Sequence, residues 1–153
     1  MSRFVVVHTS WYQEYINDMK EIILEELGLE VRFYEVPGSL ELAAMGKIAL
    51  REGSEHDVGG NIKGIIFCGV VIRGETTHYE LVTTETFREI GNLALDYPDI
   101  AIINNVICVE NVEQLKIRNK KNTLNNVKAL KTLVKSKQEF KGPKRKGHGR
   151  DFF

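Results

Sequence analysis

Cysteine is scarce in this chain of 153 residues: there are two, Cys68 and Cys108, each inside an apolar run. Two such residues build neither a disulfide framework nor a zinc-ligand spacing, and they suit a reducing cytosol. Small secreted scaffolds and zinc fingers are thereby excluded. Net charge is lacking too, with 21 basic side chains against 21 acidic ones. No apolar run approaches the roughly 20 residues that a membrane-spanning helix needs. Three prolines and no glycine period rule out a collagen. Residues 1–8 show no charged start followed by a long apolar stretch and a small-residue cleavage site, so no signal peptide is expected.

What is present fits one domain. The length is near the ~150 residues of a single unit. Hydrophobic residues make up 42% of the chain, enough for one core of ordinary size. With 27% charged residues, disorder over the whole length is not expected. The charge balance hides an asymmetry. Residues 135–150 hold seven basic side chains and one acid, Glu139, while the rest of the chain carries 14 basic and 20 acidic groups. An acidic body at 1–138 therefore precedes a basic tail at 139–153, expected to be flexible because its glycines and Pro143 end the helical periodicity. A solvated extension explains the tail; a nucleic-acid contact is the less expected reading, since no folded reader accompanies it.

Within the body, strand and helix patterns alternate. Phe4–Val7 is a short β-branched run that ends near His8. Apolar residues at 16, 19, 22, 23 and 27 fall on helical spacing, and Gly28 follows as a stop. Val31–Val36 reads as a strand stopped by Pro37-Gly38. Ser39 is then placed to cap a helix through about Leu50. Ile62–Ile72 is an apolar run, unbroken from Ile65 and with Gly69 inside it, the pattern of a central parallel strand buried on both faces. A helix is expected over Glu80–Leu95, a strand over Ile100–Ile107 and a helix over Val112–Val134, which could break near 119–122.

Such alternation predicts a single-domain α/β three-layer sandwich: four parallel strands in the flavodoxin-like order 2-1-3-4, with helices on both faces. Open parallel sheets bind ligands at the carboxyl ends of their strands. Those ends are expected near His8–Tyr12, Pro37–Glu41, Arg73–His78 and Asn104–Asn111, where the unusual residues also gather.

Each end carries a candidate with a plainer alternative. Trp11 can stack on a flat heterocycle, or can staple a helix to the sheet. Gly38 and Ser39 lead into a helix start whose amides favour anions or carbonyl oxygens. Glu41 can accept ring N–H groups, or can simply complement the helix dipole. Gly74-Glu75-Thr76-Thr77 can offer amides and hydroxyls to a phosphate, although it is not a P-loop. His78 follows at once and can exchange a proton near neutral pH, or can be incidental to a helix start. His8, His56 and His148 do not compete for that role. Arg118 suits a phosphate if it turns toward the site, and is otherwise a solvated helix residue. Together these groups make a site for a flat polar ring and a phosphate plausible.

The strings VPGSLEL at 36–42, GVVIRGETTHYE at 69–80 and VEQLKIR at 112–118 resemble, in order and spacing, the lumazine synthases of riboflavin biosynthesis. The resemblance covers about 4–137. It implies condensation of 5-amino-6-(D-ribitylamino)uracil with 3,4-dihydroxy-2-butanone 4-phosphate to 6,7-dimethyl-8-ribityllumazine, with release of phosphate and water and with no metal or organic cofactor. It also implies roles for individual residues. Trp11 matches the aromatic residue that stacks on the pyrimidine. Ser39, Leu40 and Glu41 match the segment for the pyrimidine edge and ribityl chain, and Val71 and Ile72 the backbone that holds the uracil. Gly74, Glu75 and Thr76 match the phosphate loop, and His78 the proton-transfer residue. Arg118 matches the phosphate-binding arginine supplied by a neighbouring subunit. The expected assembly is a homopentamer, or a decamer or sixty-subunit shell, in the cytoplasm and without a membrane partner. Two positions depart from the family pattern. Asn104 stands where an aromatic lid is common, and Asn126 where a lysine is common, with Lys120, Lys121 and Lys128 as nearby replacements. A related archaeal-type riboflavin synthase and a weakly catalytic flavin- or lumazine-binding assembly protein are the alternatives that the resemblance leaves.

Overall fold

The computed structural model describes residues 3–56, 62–75 and 77–140. Its four strands are β1 (Phe4–Thr9), β2 (Val31–Val36), β3 (Gly64–Ile72) and β4 (Ala101–Val109). They form one all-parallel sheet in the order β2-β1-β3-β4. Phe4 pairs with Val31 on one side and Gly64 on the other, and Gly64 pairs with Ala101, so the strand starts are level. The helices are α1 (Gln13–Leu27), α2 (Leu42–His56), α3 (His78–Asp96) and α4 (Val112–Phe140). The expected α/β architecture and strand order are therefore those of the molecule.

Two apolar layers flank the sheet, and strand alternation assigns them. Val6, Ile66, Cys68, Val70, Ile107 and Val109 face α1 and α4, meeting Ile16, Met19, Ile23, Leu115, Val127 and Leu130. The alternate residues Val5, Val7, Ile65, Phe67 and Val106 face α2 and α3, meeting Leu42, Leu50, Ile90 and Leu93. β3 lies between β1 and β4, and its residues 64–70 are all buried. Both of its faces are covered, so the sequence shows no polar alternation there.

Several boundaries differ from the sequence expectation. Ser39 does not cap a helix: residues Ser39–Glu41 form a single 3-10 turn without a side-chain cap, and α2 starts at Leu42. α2 also continues past Leu50 to His56, because Arg51 and Glu52 are good helix formers. β4 extends to Val109, past the expected end at Ile107, so Asn104 and Asn105 lie in mid-strand rather than at its carboxyl end; the β-branched Val106, Ile107 and Val109 carry the pairing on. α4 is unbroken across 119–122. Asn119 does not compete for its own helix backbone, because its Nδ2 donates to the Tyr15 carbonyl of α1 at 3.1 Å. Glu139 and Phe140 belong to α4, while the rest of the basic tail, 141–153, lies outside the described residues.

Close packing on the α2 side depends on Gly46. A Cβ there would lie 2.7 Å from Phe67 Cε1, and Phe67 is fully buried. Alanine gains about 1 kcal/mol of helix propensity over glycine, but overpacking a rigid ring costs about 1–3 kcal/mol. Gly46→Ala is expected to lower the unfolding free energy by about 1 kcal/mol in urea titrations. A stability at or above that of the parent would mean that α2 can lift from Phe67 at no cost.

Candidate functional site

The parallel sheet brings the ends of β1, β2 and β3 to one edge. Ser10 joins the first two: its amide donates to the Val36 carbonyl at 3.0 Å, and its hydroxyl to the Pro37 carbonyl at 3.1 Å. Trp11 follows and stays 67% exposed, so it is no staple buried under α1. Tyr12 turns the chain into α1 through a left-handed backbone, φ 58° and ψ 51°. For a bulky residue that conformation is strained, and its carbonyl receives the first helical amides, those of Tyr15 and Ile16.

The 39–41 turn sits over the middle of β3. A Cβ on Gly69 would stand 3.4 Å from Ser39 Oγ and 3.3 Å from Thr9 Cγ2. Gly69, inside the buried strand, thus marks the close approach of two neighbouring segments. Leu40 and Glu41 are exposed beside it. Val71 and Ile72 are half-buried where β3 emerges from the core. Gly74 and Glu75 are exposed, Thr76 lies outside the described residues, and His78 opens α3 on the surface. Thr77 makes no side-chain capping bond at that helix start. A helix start of this kind attracts anions through its first-turn amides.

Two candidates lie elsewhere in the chain. Asn104 is in mid-strand, opposite Phe67, and its Oδ1 accepts the Val106 amide at 2.9 Å. Arg118 is exposed in the second turn of α4, which occupies the helical layer opposite to α3. Trp11, the 39–41 turn and the segment 71–78 therefore share one edge, and Arg118 is not among them.

Asn126 points inward. Its Nδ2 donates to Asn105 Oδ1 at 2.7 Å, and Asn105 Nδ2 donates to Thr123 Oγ1 at 2.9 Å and toward Cys68 Sγ at 3.7 Å. This polar seam between β4 and α4 is buried at Asn105 and Thr123. Lys120, Lys121 and Lys128 are exposed. Burial pushes the Cys68 thiol up to about 12, opposed by the Asn105 contact, and the Cys108 thiol to about 11. Both remain protonated at neutral pH and are poor nucleophiles. Burial also lowers the pKa of the His8 imidazole, outweighing its hydrogen bond to the Thr9 carbonyl. Among the described residues no group of three or more His, Cys, Asp or Glu could hold a metal ion, and no helix is long and apolar enough to cross a membrane.

Sequence reasoning assigned no site role to Ser10, Gly69 or Arg73. The signals were available: a glycine inside an apolar strand, and a cation directly after nine strand residues.

The fold is that of an open parallel α/β protein, a class whose small-molecule sites lie at the carboxyl ends of the strands. A model of the 6,7-dimethyl-8-ribityllumazine synthase family matches residues 1–138. Proteins with that name are 39% identical in Novosphingobium aromaticivorans (77% of this chain, 81% of the relative) and 41% identical in Erythrobacter litoralis (74% and 77%). A third, from Zymomonas mobilis, is 35% identical over 77% of this chain and 81% of its own length. The chain belongs to the 6,7-dimethyl-8-ribityllumazine synthase family, a family of transferases in riboflavin biosynthesis.

Asn105 is 1% exposed, so its amide depends on the seam for its partners. Removing one partner of a buried hydrogen bond costs about 1–3 kcal/mol. Asn126→Ala is expected to destabilise the protein by that amount in urea titrations, and Asn126→Asp by no less, because a carboxylate cannot donate to Asn105 Oδ1. Parent-like stability of both variants would show that the seam contributes nothing.

Proposed function

We propose that this chain condenses 5-amino-6-(D-ribitylamino)uracil with 3,4-dihydroxy-2-butanone 4-phosphate, giving 6,7-dimethyl-8-ribityllumazine, phosphate and water. The observation that carries this reading is the shared edge: an exposed indole, the 39–41 turn and the 71–78 segment in one chain of this family. Trp11 stacks on the pyrimidine. Ser39, Leu40 and Glu41 receive its edge and the ribityl chain, and the backbone of Val71 and Ile72 holds the uracil. Gly74, Glu75 and Thr76, at the start of α3, hold the phosphate.

The chemistry asks for little beyond these groups. An aryl amine attacks a ketone, water leaves, phosphate is eliminated and the ring closes. Proton shuttling falls to His78, beside the phosphate loop. Charge on the departing phosphate is compensated by the helix-start amides and Arg118. Holding two substrates in register supplies much of the remaining rate without a covalent intermediate. No metal or organic cofactor is required.

Arg118 stands in the layer opposite to α3, so it serves the site of a neighbouring copy, in a homopentamer or a larger assembly. Asn104, on the edge strand β4, faces the ring from such a neighbour as a smaller and polar lid. The reaction runs in the cytoplasm.

The direct test mixes purified protein with both substrates and follows lumazine absorbance and free phosphate together. Equal, enzyme-dependent appearance of the two is expected. Neither product, from a folded assembly that still binds the ribitylaminouracil, would overturn the synthase reading in favour of a binding assembly. The inward-turned Asn126 is the observation that favours that second reading. His78→Ala is expected to slow turnover by roughly 100-fold or more while the protein still folds. Unchanged turnover would remove His78 from the mechanism. Arg118→Ala should raise KM for the butanone phosphate by roughly 10- to 100-fold, the worth of a charge-assisted hydrogen bond. An unaltered KM would dismiss that role.

A further inference from the structure

The apolar run of β3 ends on a cation. The Arg73 side chain is 39% exposed, and its guanidinium meets groups from two separate segments. One terminal nitrogen pairs with Glu80 in the first turn of α3. Nε donates to Glu110 Oε1 at 3.2 Å and lies 3.1 Å from Oε2. The guanidinium carbon stands 4.7 Å from the centroid of the Tyr79 ring. The Arg73 amide donates to the Val109 carbonyl at 2.9 Å, which fixes the base of this side chain against β4.

The tether continues past Glu110. The Glu110 amide donates to Gln114 Oε1 at 2.7 Å, and the Gln114 amide to Asn111 Oδ1 at 2.9 Å. Arg73 therefore links the start of α3, which carries His78, to the capped start of α4, which carries Arg118. Between the ends of this link, Gly74 has nothing within 4 Å of where a Cβ would stand, and Glu75 and Thr77 are exposed. Apolar packing does not hold that segment.

Exposed ion pairs add little to global stability when isolated. A planar fork shared by two carboxylates and laid on an aromatic face is different, because its geometry is fixed from several directions. Its effect is expected in local order rather than in overall stability.

We propose that Arg73 is a positioning residue: by joining Glu80 and Glu110 over Tyr79, it sets Gly74, Glu75, Thr77 and the start of α3, and thereby the grip on the phosphorylated substrate beside His78. The substrate half of this statement rests on the synthase reading above; the tether itself does not.

The test uses the full chain with Arg73→Gln, Arg73→Lys and Glu110→Gln. Hydrogen exchange of amides 74–80 is measured first, without substrate, with the amides of β1 and β3 as the reference. Arg73→Gln is expected to speed exchange across 74–80 by roughly tenfold and to leave the strands unchanged. Arg73→Lys should fall between it and the parent, since a single ammonium cannot fork to both carboxylates. Steady-state kinetics come second. KM for the butanone phosphate should rise roughly tenfold in Arg73→Gln, with KM for the ribitylaminouracil within about twofold of the parent. Unchanged exchange in all three variants overturns the tether. Faster exchange with an unchanged KM, in an active parent, overturns the positioning role and leaves a structural tether only. An inactive parent overturns the synthase reading and with it the substrate half, while exchange still decides the tether. Should Arg73→Gln fail to fold, Arg73→Lys and Glu110→Gln decide the same questions.

Discussion

The burial of β3 on both faces is the constraint from which the other features follow. Residues 64–70 are buried without exception, and neighbouring strands cover both edges. A strand in that position must be parallel to its neighbours when helices connect them, and it needs a helical layer on each side. The connections then run in one sense, and every strand delivers its carboxyl end to the same edge. The groups of 10–12, 38–41, 71–75 and 77–78 are brought to that edge by this arrangement and not by any attraction among themselves. Gly69 shows how tight it is, because Ser39 and Thr9 approach β3 where that residue lacks a side chain.

The same two-layer construction separates residues that a phosphate site would bring together. α3 leaves the sheet edge into one layer, and α4 leaves it into the other. His78 begins α3 and Arg118 lies in the second turn of α4; each helix follows a strand, yet the two helices lie on opposite sides of the sheet. Arg73 reaches toward both helix starts, through Glu80 on one side and through Glu110 and Gln114 on the other.

Much of this was legible in the residues. The helical spacing of Ile16, Met19 and Ile23, and the unbroken run before Arg73, determine two of the layers and the central strand by pattern alone. What could not be read were the consequences of tertiary partners. Ser39 looks like a helix cap because local chemistry favours it, but the backbone turns once more before α2 begins. Asn119 to Asn122 look like a break because asparagine competes with helical hydrogen bonds, until α1 supplies Asn119 with another acceptor. Asn104 looks like the start of the carboxyl end of β4 because asparagine is poor in strands; paired to Phe67 and Cys68, Asn104 and Asn105 are held in its middle. The gathering of Trp11, Ser39 and the 71–78 segment was readable from topology, whereas the inward turn of Asn126 was not.

That inward turn connects a departure from the family pattern to a residue that sequence comparison alone would pass over. Asn105 projects from β4 toward α4 and is 1% exposed, so both ends of its amide need partners within the protein. Thr123 and Asn126, three residues apart on α4, lie on one helical face and supply an acceptor and a donor. A lysine at 126 would have to bring its charge to the buried Asn105 carbonyl or leave that oxygen without a donor, and either course is costly. Asparagine at 126 and asparagine at 105 are therefore coupled through one hydrogen bond between α4 and β4.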